Sequence, residues 1–231
     1  MKDFIRILIT LISKAMSKPE DIYNETIEEV MQCEATPNIF AQNPPTKERK
    51  HVSELTYSEA GYRFTKAYES LHDGDLSSIG LQPKLCPAGV WTRGYGEAIV
   101  VNGKFLTAKD HPVLDDYIRS FSLTDETEAD LGMRRIMVRY ENWLKNRITV
   151  PLLQREFDAL VDHTYNTGGS NGLVKLINER ATDTHIYNWF TQKYITANGR
   201  ILKGLVYRRV DNAETYFKGD YNRDYKTQIS I

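Results

Sequence analysis

The chain has 231 residues, 41% of them hydrophobic and 11% aromatic, and a formal net charge of -1. That is enough apolar material for one large domain or a domain with an appendage. The near-neutral balance argues against a nucleic-acid partner, which usually calls for a Lys/Arg excess. Its two cysteines, Cys33 and Cys86, are too few for a disulfide framework and lack the paired spacing of a zinc site, so no structural metal is expected.

In chain order, the apolar run FIRILITLI at 4–12 follows Lys2 and precedes Ser13-Lys14-Ala15, a small-x-small pattern of the kind that signal cleavage uses. A spanning helix needs about 20 mostly apolar residues, so stable membrane insertion is not expected. The run reads either as an export or tethering signal or as a short amphipathic helix. Residues 18–50 turn acidic and then Pro/Asn-rich, ending in QNPPTKERK, the composition of a linker. Residues 1–55 are therefore an N-terminal extension, and residues 56–231 one domain.

The domain opens on TYSEAGYRFTKAYESL, where Thr56 and Glu59 have capping-box spacing and Ala60, Phe64, Ala67, Tyr68 and Leu71 recur at helical spacing. Glu69 falls in the last turn, beside the apolar stripe, either projecting into a cleft or lying solvated on the surface. The stretch from Ser70 to Leu106 is rich in Gly, Pro and Asp, with turns at Pro87-Ala88-Gly89 and Asn102-Gly103, and predicts a small antiparallel sheet. Helical periodicity returns in residues 123–148, with Ile136, Met137, Tyr140, Trp143 and Leu144 on one side. A second helix follows from Pro151, with Leu153, Phe157, Leu160, Val161 and Thr164 as its stripe and Gly168-Gly169 as its stop. LVKLINERA, IYNWFTQKYI and GLVYRRVDNAETYFKGDY complete a mainly helical lobe.

The run CPAGVWTRGYG at 86–96, preceded by a helix-borne Glu and followed by FDALVDHTYNTGG and GLVYRR, resembles the bacteriophage-type lysozymes (endolysins) of glycoside hydrolase family 24. The resemblance spans most of residues 56–221. It implies an α+β, lysozyme-like fold with a small antiparallel β-sheet lobe and a mainly helical lobe. It also implies an N-acetylmuramidase that hydrolyses the β-1,4 bond between N-acetylmuramic acid and N-acetylglucosamine in peptidoglycan, with inversion. Such an enzyme needs no metal or organic cofactor, works as a monomer, and meets its substrate in the bacterial cell wall, in the periplasm or outside the cell. A non-catalytic peptidoglycan-binding module and a lytic transglycosylase are the rival readings.

Carried over by motif, the catalytic set is Glu69, Cys86 and Thr92, the last two separated by five residues as in the family. Glu69 would protonate the leaving oxygen, while Cys86 and Thr92 stabilise charge at the anomeric carbon and orient a water on the opposite face. A thiolate can stand for the more usual Asp where positive charge is near, and Arg93 or the loop amides are the candidates. The resemblance further places Arg208 near the catalytic Glu and Asn166 along the sugar cleft, with Tyr95 as a third substrate-side residue that packing also explains. Three departures stand out. Sixteen residues separate Glu69 from Cys86, more than the family usually has, making Asp73 and Asp75 alternative acids. Glu97 stands where a His is frequent, and Asn212 where a Glu is frequent. Cys33 and Cys86 are the right number for one redox-sensitive pair.

Overall fold

The structure is a computed structural model and describes residues 48–69, 80–86, 88–197 and 199–223. The signal-like run, Cys33, Asp73 and Asp75 lie outside the described residues.

The folded body begins upstream of Thr56. Lys50 forms an antiparallel bridge with Leu152, and Arg49 clasps Glu156 through two hydrogen bonds of 2.6 and 2.7 Å. Val52, in the 3-10 turn Val52–Glu54, and Leu55 sit in the core. Part of the expected linker is thus held in place, because two apolar side chains in a short turn find a buried surface there.

Helix α1 (Glu59–Glu69) buries Tyr62, Phe64, Thr65 and Tyr68. Its start differs from the expected capping box. Ser58, not Thr56, meets the first turn, its hydroxyl accepting from the Gly61 N–H at 3.2 Å, and Glu59 pairs with Arg134 instead. Ser58 is in turn held by Asp158, which accepts from both its N–H and its hydroxyl. A tertiary contact has moved the cap two residues along.

The sheet lobe follows. Strands β1 (Lys84–Leu85), β2 (Trp91–Arg93) and β3 (Glu97–Ala98) form one antiparallel sheet, with Thr92 opposite Lys84 on one side and Ala98 on the other. Strands β4 (Val100–Val101) and β5 (Lys104–Phe105) close a hairpin on the expected Asn102-Gly103 turn, both residues having positive φ. Trp91, Ile99, Leu106 and Ile118, the last from the short helix α2 (Asp116–Arg119), form this lobe's own small core.

Helix α3 (Glu126–Lys145), capped by the Asp125 side chain, joins the lobes. It buries Ala129, Met133, Met137, Glu141 and Leu144, while Tyr140 and Trp143 pack at the margin of the core. Helix α4 (Gln154–Thr167) starts after Leu153, whose N–H donates to Glu156, and ends at Gly168. All nine residues from Glu156 to Thr164 are buried, so α4 is the central helix of the larger lobe. Helix α7 (Lys203–Lys218) packs on it most closely, with α3 and α1 also against it, while α5 (Asn171–Asn178) packs on α6 (Asp183–Gln192) and α6 on α7. Between α6 and α7 lies a hairpin that the sequence did not announce, β6 (Thr196–Ala197) with β7 (Arg200–Ile201). These two-residue strands are too short to show an alternating pattern.

At the start of α5 the Trp189 indole lies on Gly172 and donates to the Ser170 hydroxyl at 3.1 Å. A Cβ at Gly172 would come within 2.1 Å of the Trp189 ring. Gly172→Ala should therefore lower stability by about 1–3 kcal/mol through overpacking. Gly204 in α7 has open space around it, and Gly204→Ala should be neutral or stabilising by up to about 1 kcal/mol. Denaturant unfolding of both variants checks the contrast, and equal losses would contradict it.

Candidate active site

The cleft is built from the end of α1 on one wall and the first sheet on the other. Glu69 follows Thr65 by one helical turn, so both point from α1 toward α4 and α7. The Thr65 hydroxyl donates to Asp162 Oδ1 on α4 at 2.7 Å. From α7, Arg208 reaches both carboxylates: Nη1 donates to Glu69 Oε1 at 2.8 Å, Nη2 to Asp162 Oδ1 at 2.8 Å and Nε to Asp162 Oδ2 at 3.2 Å. Asn212, one turn further along α7, donates its amide to Asp162 Oδ2 at 2.8 Å.

This cluster is out of water, Arg208 being 5% exposed and Asp162 0%. Burial alone would raise the Asp162 carboxyl, yet the Arg208 charge and the hydrogen bonds from Arg208, Asn212 and Thr65 hold it down at about 2. Desolvation works against the Arg208 charge in turn, and the two carboxylates more than offset it, lifting the guanidinium above its ordinary range. Arg208 is therefore neither a solvated helix arginine nor a direct sugar ligand. It is a buried clamp on the Glu69 carboxylate.

The opposite wall carries Cys86 and Thr92. Cys86 is half-buried at the end of β1, its N–H donating to the Val90 carbonyl at 2.9 Å across a tight turn. Thr92 is held across the strand pair, its hydroxyl donating to the Lys84 carbonyl at 3.2 Å. Glu69, Cys86 and Thr92 line a single cavity of about 310 Å³, together with Gln82, Arg93 and Gly96. Gly96 lines it at φ +84°, where a Cβ would sit 2.8 Å from the Tyr165 hydroxyl and 3.9 Å from Glu69 Oε2. Only a bare backbone fits between the lobes there.

Three expected contributors are placed differently. Tyr95 is 4% exposed; its ring joins the core and its hydroxyl donates to Glu126 at 2.9 Å, so packing accounts for it rather than sugar contact. Arg93 lines the cavity, but its Nε pairs with Glu97 at 3.0 Å and its Nη1 donates to the Phe121 carbonyl at 2.8 Å. The β2–β3 register sets Arg93 opposite Glu97, which takes the charge intended for Cys86. Glu97 also pairs with Arg135 at 3.1 Å, so an ion pair survives at the position where a His was expected. Asn166 accepts from Arg209 through Oδ1. That neighbour is 0% exposed, and burial together with the adjoining Arg208 charge pushes it down to about 9.

Asp162, Thr65 and Tyr165 were not singled out from the sequence. The available signal was an Asp inside VDHTYN on a helix whose neighbours are apolar, since a buried charge must have a partner.

The family described as Phage lysozyme matches residues 75–212, more than half of the chain. The match begins after Glu69, so that wall of the cleft is assigned by geometry. No curated protein matches. Among solved structures, an endolysin from Escherichia coli O157:H7 phage FAHEc1 is 22% identical with a TM-score of 0.56, covering 76% of this chain and 99% of its own. The muramidase domain of SpmX from Asticaccaulis excentricus is also 22% identical, TM-score 0.54, covering 71% and 99%. The active form of the P1 phage endolysin Lyz is 15% identical, TM-score 0.51, covering 85% and 94%. These likenesses show the lysozyme-like fold. The chain belongs to the phage lysozyme family and is a glycoside hydrolase of the muramidase type, with peptidoglycan as its substrate.

Proposed function

We propose that this muramidase cleaves the β-1,4 bond between N-acetylmuramic acid and N-acetylglucosamine by a single displacement with inversion. The observation that carries the reading is the single cavity with Glu69 on one wall and Cys86 and Thr92 on the other. Arg208 holds Oε1 of Glu69, and Oε2 is the oxygen nearer to Gly96, which lines the cavity. A carboxyl fixed at one oxygen presents the other in one direction, which is what proton delivery to a glycosidic oxygen requires.

The facing wall suits a water molecule. Because the Thr92 hydroxyl donates its hydrogen bond to the Lys84 carbonyl, its oxygen is left to accept a hydrogen bond from water. Cys86 Sγ is the second group on that wall. Between them they orient the water against the sugar face opposite Glu69, as inversion demands; Glu69 protonates the leaving oxygen, and the proton the water sheds as its oxygen bonds to the anomeric carbon passes to solvent through the open cleft. No helix among the described residues is long and apolar enough to cross a membrane. Access to the wall, in the periplasm or outside the cell, is part of the proposal.

Digestion of purified peptidoglycan with mass analysis of the fragments tests this. Wild type should release reducing ends, whereas 1,6-anhydro sugars would indicate a lytic transglycosylase. Glu69→Gln should lose activity by on the order of 100-fold or more, and full activity in that variant would remove Glu69 as the acid. Thr92→Ala and Cys86→Ala should each lower kcat with little change in KM, because both act on the water rather than on ground-state sugar binding. A change confined to KM would assign them to binding instead.

A further inference from the structure

Arg208 meets a carboxylate at each end: Glu69 through Nη1, and Asp162 through Nη2 and Nε. Asp162 is fully buried, so bulk solvent does little to screen its charge or that of its partner. With Asp162 ionised, the set of Asp162, Arg208 and protonated Glu69 sums to zero charge. Were Asp162 neutral, Arg208 would be balanced only when Glu69 had already given its proton away.

We propose that Asp162 is a positioning residue that neutralises Arg208, so that Glu69 retains the proton it delivers to the glycosidic oxygen. The proposal rests on the reading of Glu69 as proton donor. Arg208 still fixes the direction of the Glu69 carboxyl, because the hydrogen bond from Nη1 does not depend on net charge in the cluster. Asp162 thus separates two effects of an arginine on an acid: it keeps the orientation and cancels the field.

Among the described residues, the other titratable groups facing the cluster are uncharged or have partners of their own. On α4, burial keeps the His163 imidazole uncharged, and Asp158 is committed to Ser58, Gln154 and Tyr221 one turn away. The phenols of Tyr57, Tyr68 and Tyr165 are all pushed up by burial and stay neutral. Asp211 accepts from Tyr68. Arg209 and Arg223 add positive charge, which increases the need for the Asp162 carboxylate. Asn212 already touches that carboxylate at 2.8 Å, so its position is one from which a charge can be returned.

The experiment is the pH–rate profile of the full chain on purified peptidoglycan, with circular dichroism and thermal unfolding to follow folding. Asp162→Asn, which can still accept from Arg208, should move the alkaline limb of activity down by about one pH unit or more, with activity recovered toward acid. Adding Asn212→Asp to that variant should move the limb back up. A uniform fall at every pH, or an unmoved alkaline limb, would overturn the proposal and leave Asp162 as a structural ligand only. If Asp162→Asn does not fold, Asp162→Ser, which also removes the negative charge, takes its place: the alkaline limb should move down in the same way, and an unmoved limb overturns the proposal equally. Glu69→Gln run alongside separates the two readings. Retained activity there removes the proton donor and the proposal with it, whereas an inactive Glu69→Gln beside an unmoved Asp162→Asn profile removes the Asp162 role alone.

Discussion

A guanidinium removed from water is the constraint around which the larger lobe is arranged. Arg208 can lie 5% exposed only because Glu69 on α1 and Asp162 on α4 approach it at hydrogen-bond distance. Removing one partner of such a buried set costs about 3–5 kcal/mol, since the other charge is left unpaired. The three helices that supply these residues are thereby fixed in register to each other. Glu69, the proposed proton donor, is a member of that same cluster, so its placement and the packing of α1 against α4 and α7 have one cause.

Polar atoms spread outward from this centre in an ordered way. Thr65 links Asp162 to the Tyr57 hydroxyl at 2.6 Å, and that hydroxyl also reaches the Gly61 carbonyl. Tyr68 turns to Asp211, while Asp158 gathers Ser58 and Tyr221. The α1 cap is therefore determined by tertiary contacts as much as by its own residues. A capping-box pattern can be read from spacing alone, but spacing cannot reveal that an Asp one hundred residues downstream lies close enough to recruit Ser58.

Helices were the most legible part of the sequence, because α3 to α7 each carry a periodic apolar stripe. Met137, Leu144, Phe157, Leu160 and Val161 fall in the core as the period implies. The hairpin after α6 was not legible, its strands being too short to alternate, and neither was the attachment of Arg49 and Lys50 to the body upstream of Thr56. Glu69, Cys86 and Thr92 were found through a motif, and the fold brings them to one cavity. Arg93 was misjudged because sequence shows a charge but not which neighbour takes it; the strand register gave it to Glu97. Asp162 was hidden for a related reason. A polar residue in an apolar helix announces a partner without naming it.

The two walls of the cleft are fastened together. The Tyr165 hydroxyl, from the helical lobe, donates to the Tyr95 carbonyl in the sheet lobe at 2.9 Å, immediately beside Gly96. A joint there means that the two walls cannot part without breaking a hydrogen bond beside a residue that itself lines the cavity, so the spacing between Glu69 and the Cys86–Thr92 wall is set by the fold. A polysaccharide laid in the cleft would therefore meet two walls whose separation was decided when the lobes folded together.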